Sequence, residues 1–519
     1  MGYPDKKLCE YILCGLEHGF KIGFVGNSSE TRPNNLLSAR KNSGKVSQAV
    51  VKEVERGYTS GPFVHPPLND LHCSPIGAVI KKDGSCRLVM DLSQPKGQSI
   101  NEGIVKEEFS VVYSKFDDAI KLVWAAGQGC YMCKVDIKHA FRLLPVDPSD
   151  WKLLGYRWDG FYFVDTRLPF GLRSSPKIFN DFADLICWIC QNKYGLKTLI
   201  HYSDDFFMVC GKCFKDAKRQ LQTLCQAFQD MGIPLAPEKI VGPTKKIIYL
   251  GVGIDSVLMV MYITEEKYTD LSDSLPKWQN RRTCTKQHLL SLIGKLSSVS
   301  KIVQPGRIFL RRLINLSTTV VKLHHHVTLN SEAKADIEWW CQFLPSWSQS
   351  TLIPETYSIT HSDLRLYSDA CQFGFGAIYG NSWIQGGFEG VAQGHSIDFK
   401  ELFAIVAAVM VWGPDWAGKR IVFHTDNKPI TDIWQSGSTP SKDLMTLVRK
   451  LYMLAAGFQF SISFKHIMGV KNPVADAISR FQEARFRLLA PNSALLPTRI
   501  PQEVSDLLAS IPVPKKKRK

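Results

Sequence analysis

Asp136 closes the apolar run Tyr131–Val135, and Asp204 and Asp205 stand side by side between the apolar runs Thr198–Tyr202 and Phe206–Cys210. A strand, two acids and a strand read as a hairpin with both carboxylates at its tip. Two unit charges about 4 Å apart repel by roughly 4 kcal/mol at an effective dielectric of 20. Divalent cations relieve that repulsion. Three converging carboxylates can hold two Mg²⁺ ions, or Mn²⁺ in their place, which activate a hydroxyl and stabilise a leaving pyrophosphate in an in-line displacement. Farther along, Asp369, Glu401, Asp426 and Asp476 fall at element ends or on helices. Glu401 begins a run that is apolar on nearly every side (Leu402, Phe403, Ile405, Val406, Val409, Met410). Its carboxyl is therefore expected to be buried and to need a compensating partner, which a metal would supply.

The elements that must position these acids follow from periodicity. Val46, Ala49, Val50 and Val54 predict a helix over Lys45–Arg56, closed by Gly57. Ile76–Leu92 reads as two strands around a Lys-Asp-Gly-Ser turn. Strands are expected at Tyr131–Val135, Thr198–Tyr202, Phe206–Cys210 and Ile247–Ile254, with helices at Ser175–Cys190 and Lys215–Met231. Thr264 to about Ser358 is mainly helical in pattern, with Trp339, Trp340, Phe343 and Trp347 near its end. A second α/β unit begins near Leu364 with strands Leu364–Ala370, Gly376–Tyr379 and Ser382–Phe388. It continues through helix Asp398–Trp412, strand Arg420–Thr425, two helices, strand Gln459–His466 and a helix from Asn472, ending near Phe481. A Pro-punctuated tail follows.

Composition limits the partners. With 45% apolar and 22% charged residues the chain lies in the globular range, and 519 residues suggest three or four compact units. No apolar run approaches the ~20 residues of a membrane span, and Glu10 and Glu17 interrupt any leader-like core. We expect a soluble protein of cytoplasm and nucleus with no membrane partner. The net charge of +16, five of it in Lys515–Lys519, points to a polyanion. Cys130/Cys133, Cys187/Cys190 and Cys210/Cys213 form C-x-x-C pairs, the last two at zinc-ribbon spacing. Their setting in strand- and helix-like apolar runs predicts small buried hydrophobes in a reducing compartment instead.

Three stretches resemble, in order and spacing, motifs A, B and C of reverse transcriptases. They are Asp136-Ile137-Lys138-His139-Ala140-Phe141, Leu168-Pro169-Phe170-Gly171-Leu172-Arg173-Ser174-Ser175-Pro176 and Tyr202-Ser203-Asp204-Asp205. The resemblance implies that Asp136, Asp204 and Asp205, with the carbonyl of Ile137, bind the metals. Phe141 matches the steric gate that leaves no room for a 2′-hydroxyl, and Phe170 stands at a nucleotide-pocket position where retroviral enzymes carry Gln. Lys239 matches the lysine that protonates pyrophosphate, and Tyr249-Leu250-Gly251 resembles the primer grip. Lys81 and Arg87 match the pair that clamps the triphosphate of the dNTP. A strict two-residue Asp83-Gly84 turn would put Lys82, not Lys81, on the face of Arg87.

Tyr367-Ser368-Asp369-Ala370, Glu401, His424-Thr425-Asp426-Asn427 and Asn472-Pro473-Val474-Ala475-Asp476-Ala477-Ile478-Ser479-Arg480 resemble the four-acid site of ribonuclease H. His466, ten residues before Asp476, matches its mobile-loop histidine. The expected fold class is therefore α/β multidomain: a right-hand polymerase of fingers, palm and thumb, followed by a ribonuclease H-like α/β domain. The expected spans are 1–60 as an N-terminal extension, 61–255 fingers and palm, 256–325 thumb, 326–362 tether or connection, 363–482 ribonuclease H and 483–519 tail.

Gly61-Pro62-Phe63, Asp91-Leu92-Ser93-Gln94-Pro95, Phe109–Asp118, Pro305–Leu313 and Asp336-Ile337-Glu338-Trp339-Trp340 look like DIRS-type, tyrosine-recombinase retrotransposons. That likeness implies a separate tyrosine recombinase partner. Pro514–Lys519 looks like a nuclear import signal addressed to the import machinery. The partners implied are an RNA template, a DNA primer, the RNA/DNA hybrid and dNTPs. Two rivals are a non-catalytic nucleic-acid-binding subunit and a host-derived hybrid-binding protein; metal-dependent primer extension separates both from an enzyme.

Overall fold

The computed structural model describes residues 2–81, 84–353, 366–417, 419–436, 439, 441–458 and 460–513. Contacts divide the chain into two units, Met1–Val260 and Met261–Lys519.

In the first unit, helices α1 (Lys6–His18) and α2 (Ser43–Glu55) precede strand β1 (Thr59–Phe63) and the hairpin β2 (Ile76–Ile80)–β3 (Cys86–Met90). Strand β4 (Met132–Asp136), the pair β5 (Gly155–Trp158) and β6 (Phe161–Asp165), and helix α3 (Ser175–Asn192) follow. The hairpin β7 (Leu199–Tyr202)–β8 (Asp205–Val209), helix α4 (Phe214–Asp230) and β9 (Val241–Thr244) complete a four-stranded antiparallel sheet ordered β7-β8-β4-β9. β1, β6 and β5 form a smaller sheet.

Burial explains the arrangement. Phe206, Phe207, Met208 and Val209 of β8 are all buried, so both faces of the strand are covered. On α3, Ile178, Phe179, Phe182, Ala183 and Ile186 recur at helical spacing and join Val135, Phe206 and Met208 in one core. Ile12, Phe20 and Ile22, from the segment expected to be an extension, belong to that same core. One expectation needs correcting. Ile247–Ile254 is not a single strand but the hairpin β10 (Lys246–Tyr249)–β11 (Val252–Asp255), because Leu250 and Gly251 both take positive φ and reverse the chain.

After helical segments at Glu265–Ser274 and Pro276–Gln279, the second unit continues with helices α5 (Lys286–Val299), α6 (Ile308–Ser317) and α7 (Ser331–Ser346). Thr283–Thr285 and His326–Thr328 pair as a short antiparallel sheet within this helical region, which periodicity alone did not reveal. Phe309 stacks on Trp339 at 3.9 Å and Trp339 on Phe343 at 4.7 Å, so the tryptophan cluster is core. Next come β12 (Tyr367–Ala370), β13 (Gly374–Tyr379), β14 (Ser382–Gly387), α8 (Ile397–Trp412) and β15 (Arg420–Thr425). α9 (Lys428–Ser436), α10 (Lys442–Gly457), β16 (Ser461–His466) and α11 (Pro473–Ser479) follow.

The sheet order is β14-β13-β12-β15-β16, antiparallel through β12 and parallel beyond it. The Pro-punctuated tail contains helices not expected from the sequence. It holds α12 (Glu483–Leu489) and α13 (Gln502–Ser510), with Phe486 buried against Trp383 at 4.9 Å. Leu364, Arg365, Gln459 and the basic terminus Lys515–Lys519 lie outside the described residues. Among the described residues no helix is long and apolar enough to cross a membrane.

Candidate active sites

In the first unit, β4 pairs with β8 so that Asp136 lies opposite Asp205. Ser203 and Asp204 form the two-residue turn between β7 and β8, with Ser203 at φ 53°, and the Ile137 N–H donates to the Asp204 carbonyl at 3.0 Å. The ladder thus brings the three acids together at one end of the sheet. Burial pushes Asp205 up to about 6; Asp136 and Asp204 add to the rise, while Lys134 and Lys239 oppose it. Burial also raises Asp136, against a hydrogen bond from Lys239 Nζ to Asp136 Oδ1 at 2.6 Å. Lys239 itself is half-exposed, on a short turn after α4.

An aromatic wall stands beside the acids. Phe141, in the 3₁₀ turn Ala140–Leu143, lies 5.2 Å from the ring of Phe170 and 5.3 Å from that of Phe179. Arg87 sits over Phe170 at 4.8 Å, so the expected phosphate ligand and the expected pocket residue touch. Lys82 and Asp83, on which the tight-turn expectation falls, lie outside the described residues. Val79 pairs with Arg87, and the Lys81 N–H bonds to the Ser85 carbonyl at 2.9 Å. Lys81, two positions beyond Val79, continues on the face of Arg87. Its charge contributes, after burial, Arg56 and Lys138, to holding His139 below the usual imidazole range.

The turn behind Phe170 admits only glycine. Gly171 has φ +110°, and a Cβ there would lie 1.9 Å from the Met90 carbonyl oxygen. Asn101 secures this loop, donating to the Gly171 carbonyl at 2.9 Å and accepting from the Arg173 N–H at 2.8 Å. Sequence reasoning missed Asn101, because a contact across seventy residues leaves no periodic signal. Tyr249 is buried and stacked on Phe207 at 4.5 Å.

The second unit gathers four acids. Asp369 is on β12, Glu401 on α8, Asp426 just after β15 and Asp476 on α11. Burial raises Glu401 to about 8, with Asp426 and Asp369 next in effect and a hydrogen bond from Asn427 opposing. Burial likewise brings Asp369 to about 6, against the Ser479 hydroxyl that donates to its Oδ2 at 2.5 Å. Asp476 behaves oppositely. Burial would raise it, but Arg480 at 2.6 Å and Arg485 at 2.7 Å hold it below the usual carboxylate range. Arg485 was missed because it lies on α12, past the expected end of the unit. His466 Nε2 lies 3.2 Å from the Asp426 carbonyl oxygen.

Whether these residues suit a cation can be tested on their lone pairs. Among the described residues, no three His, Cys, Asp or Glu side chains enclose a metal position by themselves. Asp205 Oδ1 and Asp426 Oδ1 are nevertheless buried with no hydrogen-bond partner among those residues. Mg²⁺ is commonly held by one or two carboxylates together with substrate phosphates. Both donor sets fit a cation shared with a nucleotide or nucleic acid better than a closed protein cage. The C-x-x-C cysteines are free thiols, and all but the exposed Cys213 are buried, as expected of small hydrophobes.

Comparison with known proteins bears on the first site. Residues 79–254 match the family described as reverse transcriptase (RNA-dependent DNA polymerase). The chain is 22% identical over 427 residues to a putative enzymatic polyprotein of Cassava vein mosaic virus, covering 78% of this chain and 59% of that one. It is 21% identical over 460 residues to the Transposon Tf2-3 polyprotein of Schizosaccharomyces pombe, covering 84% of this chain and 31% of the relative. The chain therefore spans between about a third and three fifths of these curated relatives.

Two foamy viral protease-reverse transcriptase structures have a similar fold. The one in complex with double-stranded DNA has a TM-score of 0.51 at 17% identity, covering 86% of this chain and 73% of that one. The one in complex with an RNA/DNA hybrid has a TM-score of 0.50 at 14% identity, covering 86% and 56%. Residues 79–254, which carry Asp136, Asp204 and Asp205, are thus a reverse transcriptase domain of the kind that retroelement polyproteins contain.

Proposed function

We propose that this chain copies RNA and DNA templates into DNA and cleaves the RNA strand of the resulting hybrid. The observation that carries the reading is the register of Asp136 against Asp205, beside the Ser203-Asp204 turn, inside the span that matches reverse transcriptases. Bound Mg²⁺ would supply charge neutralisation and Lewis acidity at the reacting phosphate. Asp136, Asp204, Asp205 and the Ile137 carbonyl would hold it in the first unit; Asp369, Glu401, Asp426 and Asp476 would do so in the second.

The chain's own groups divide the remaining work. Lys239 Nζ carries a proton within reach of Asp136 and serves as the acid for pyrophosphate once nucleotide draws it away. Lys81 and Arg87 bind the triphosphate, and Phe141, backed by Phe170 and Phe179, excludes a 2′-hydroxyl by volume. In the second unit the raised Glu401 and Asp369 mark a site that favours a cation, and His466 stands where it can aid release of the cleaved strand.

Template and primer are held chiefly through phosphates, in keeping with the basic composition. The right-hand polymerase layout, the ribonuclease H assignment, the DIRS-type ancestry with its recombinase partner and the import role of Lys515–Lys519 are parts of this proposal. Primer extension on an RNA template with Mg²⁺ tests it. Incorporation that Asp204→Asn abolishes is expected; a wild-type chain that binds hybrid but extends no primer on either template overturns the reading in favour of a binding subunit.

A further inference from the structure

Arg142 follows Phe141 in the same 3₁₀ turn, and its side chain is buried, 8% exposed. A buried guanidinium is tolerated only when its donors and charge are matched. Here they are. Nη1 and Nη2 fork onto Asp165 at 2.7 and 3.0 Å, and Nη2 and Nε meet Glu53 Oε2 at 2.7 and 2.9 Å. Nη2 also reaches Thr59 Oγ1 at 3.2 Å and Nη1 the Arg167 carbonyl at 3.3 Å, while the Thr59 hydroxyl donates to Asp165. Arg56 faces the other oxygen of Glu53 at 3.6 Å, so two cations balance two carboxylates.

Besides Arg56 and the Arg167 carbonyl, the groups come from four places: α2 (Glu53), β1 (Thr59), β6 (Asp165) and the turn itself. The turn needs such a hold, because His139 at φ 69° and Ala140 at φ 41° occupy a region that L residues rarely adopt. On its other side, Phe141 leans on Phe170 and Phe179. The ring is thus packed on two aromatic neighbours, while the next residue of its turn is held by the ion network.

We propose that Arg142, gripped by Glu53 and Asp165, is a positioning residue for sugar discrimination, so that the N-terminal helix α2 takes part in holding Phe141 against a 2′-hydroxyl. This rests on the reading of Phe141 as the gate. A lysine cannot replace the fork, since it offers one point charge where two carboxylates are bridged.

The test uses the full chain with Glu53→Gln, Arg142→Lys, Phe141→Val and the double variant Glu53→Gln/Phe141→Val. The readouts are kcat and KM for dNTP and rNTP, with the thermal melting profile of each variant as a folding control. Glu53→Gln retains a half-buried hydrogen-bonding side chain, which keeps the test open if Arg142→Lys fails to fold. In Glu53→Gln the dNTP/rNTP preference falls by about tenfold, within the range for residues coupled in one ion-pair network. The change comes mainly from a lower KM for rNTP. Phe141→Val lowers the preference further, and the double variant adds nothing to it. Equal losses on dNTP and rNTP in Glu53→Gln, or effects that multiply in the double variant, overturn the proposal while leaving the gate in place. An unchanged preference in Phe141→Val itself overturns the gate and this inference together.

Discussion

Glu401 makes the proposed cation binding of the second unit measurable without any catalysis. Its carboxyl sits at about 8 in the folded chain against an ordinary 4.5. The folded state therefore binds a proton that the unfolded state releases, and stability falls as pH rises from about 5 to 8. One pKa unit corresponds to about 1.4 kcal/mol, so the full shift represents roughly 5 kcal/mol of ionisation cost. Asp369 and Asp426 share the same repulsion and Glu401 is only half-buried, which leaves about 2 kcal/mol as the expected effect of neutralising this one group. For a unit of this size that is about 4–8 °C in melting temperature. Calorimetry in EDTA should show Glu401→Gln melting above wild type at pH 8 and converging with it near pH 5. Added Mg²⁺ should raise the wild type at pH 8 and close most of the gap. Identical melting profiles for the two proteins across this window, or a wild type that gains stability from pH 5 to 8 in EDTA, would refute the assignment of a strained, desolvated carboxylate cluster.

Three further outcomes follow from the geometry. Phe141→Val should relax discrimination against ribonucleotides by roughly 10–200-fold, the range for removing bulk from a packed pocket, measured as the dNTP/rNTP ratio of kcat/KM. Gly171→Ala should cost at least ~2 kcal/mol, because the new Cβ meets the Met90 carbonyl at 1.9 Å in a φ +110° conformation. Displacing Phe170 and β3 in this way should suppress primer extension while hybrid cleavage persists. Arg485→Gln should change stability by less than ~1 kcal/mol, as an exposed ion pair does, yet lower the Mg²⁺ concentration needed for hybrid cleavage, since it frees one oxygen of Asp476. A Mg²⁺ titration that superimposes on wild type would remove Arg485 from the site.

The strands that carry Asp136, Asp204 and Asp205 were legible because they are short, mostly apolar runs that end in acids, a pattern that suits buried strands with their ends at the surface. Bounds agreed within two residues for β4, β7 and β8. Ile247–Ile254 misled because Leu250 is as apolar as its neighbours; its positive φ is imposed by the tight reversal beside Gly251 and not by its side chain. The helices after Phe481 were hidden by Pro and polar residues, although Phe486 had a partner in Trp383 a hundred positions earlier. The supporting contacts were hidden for the same reason: Asn101 on Gly171, Glu53 on Arg142 and Arg485 on Asp476 link segments that only the tertiary fold brings together.

Two separate chemistries from two clusters of acids can be told apart on one substrate. A labelled RNA template annealed to an extendable DNA primer reports incorporation and RNA cleavage in the same tube with Mg²⁺. Asp204→Asn should abolish extension while the RNA is still cut, and Asp426→Asn should extend the primer to full length and leave the RNA intact. Loss of both activities in both variants would contradict the account.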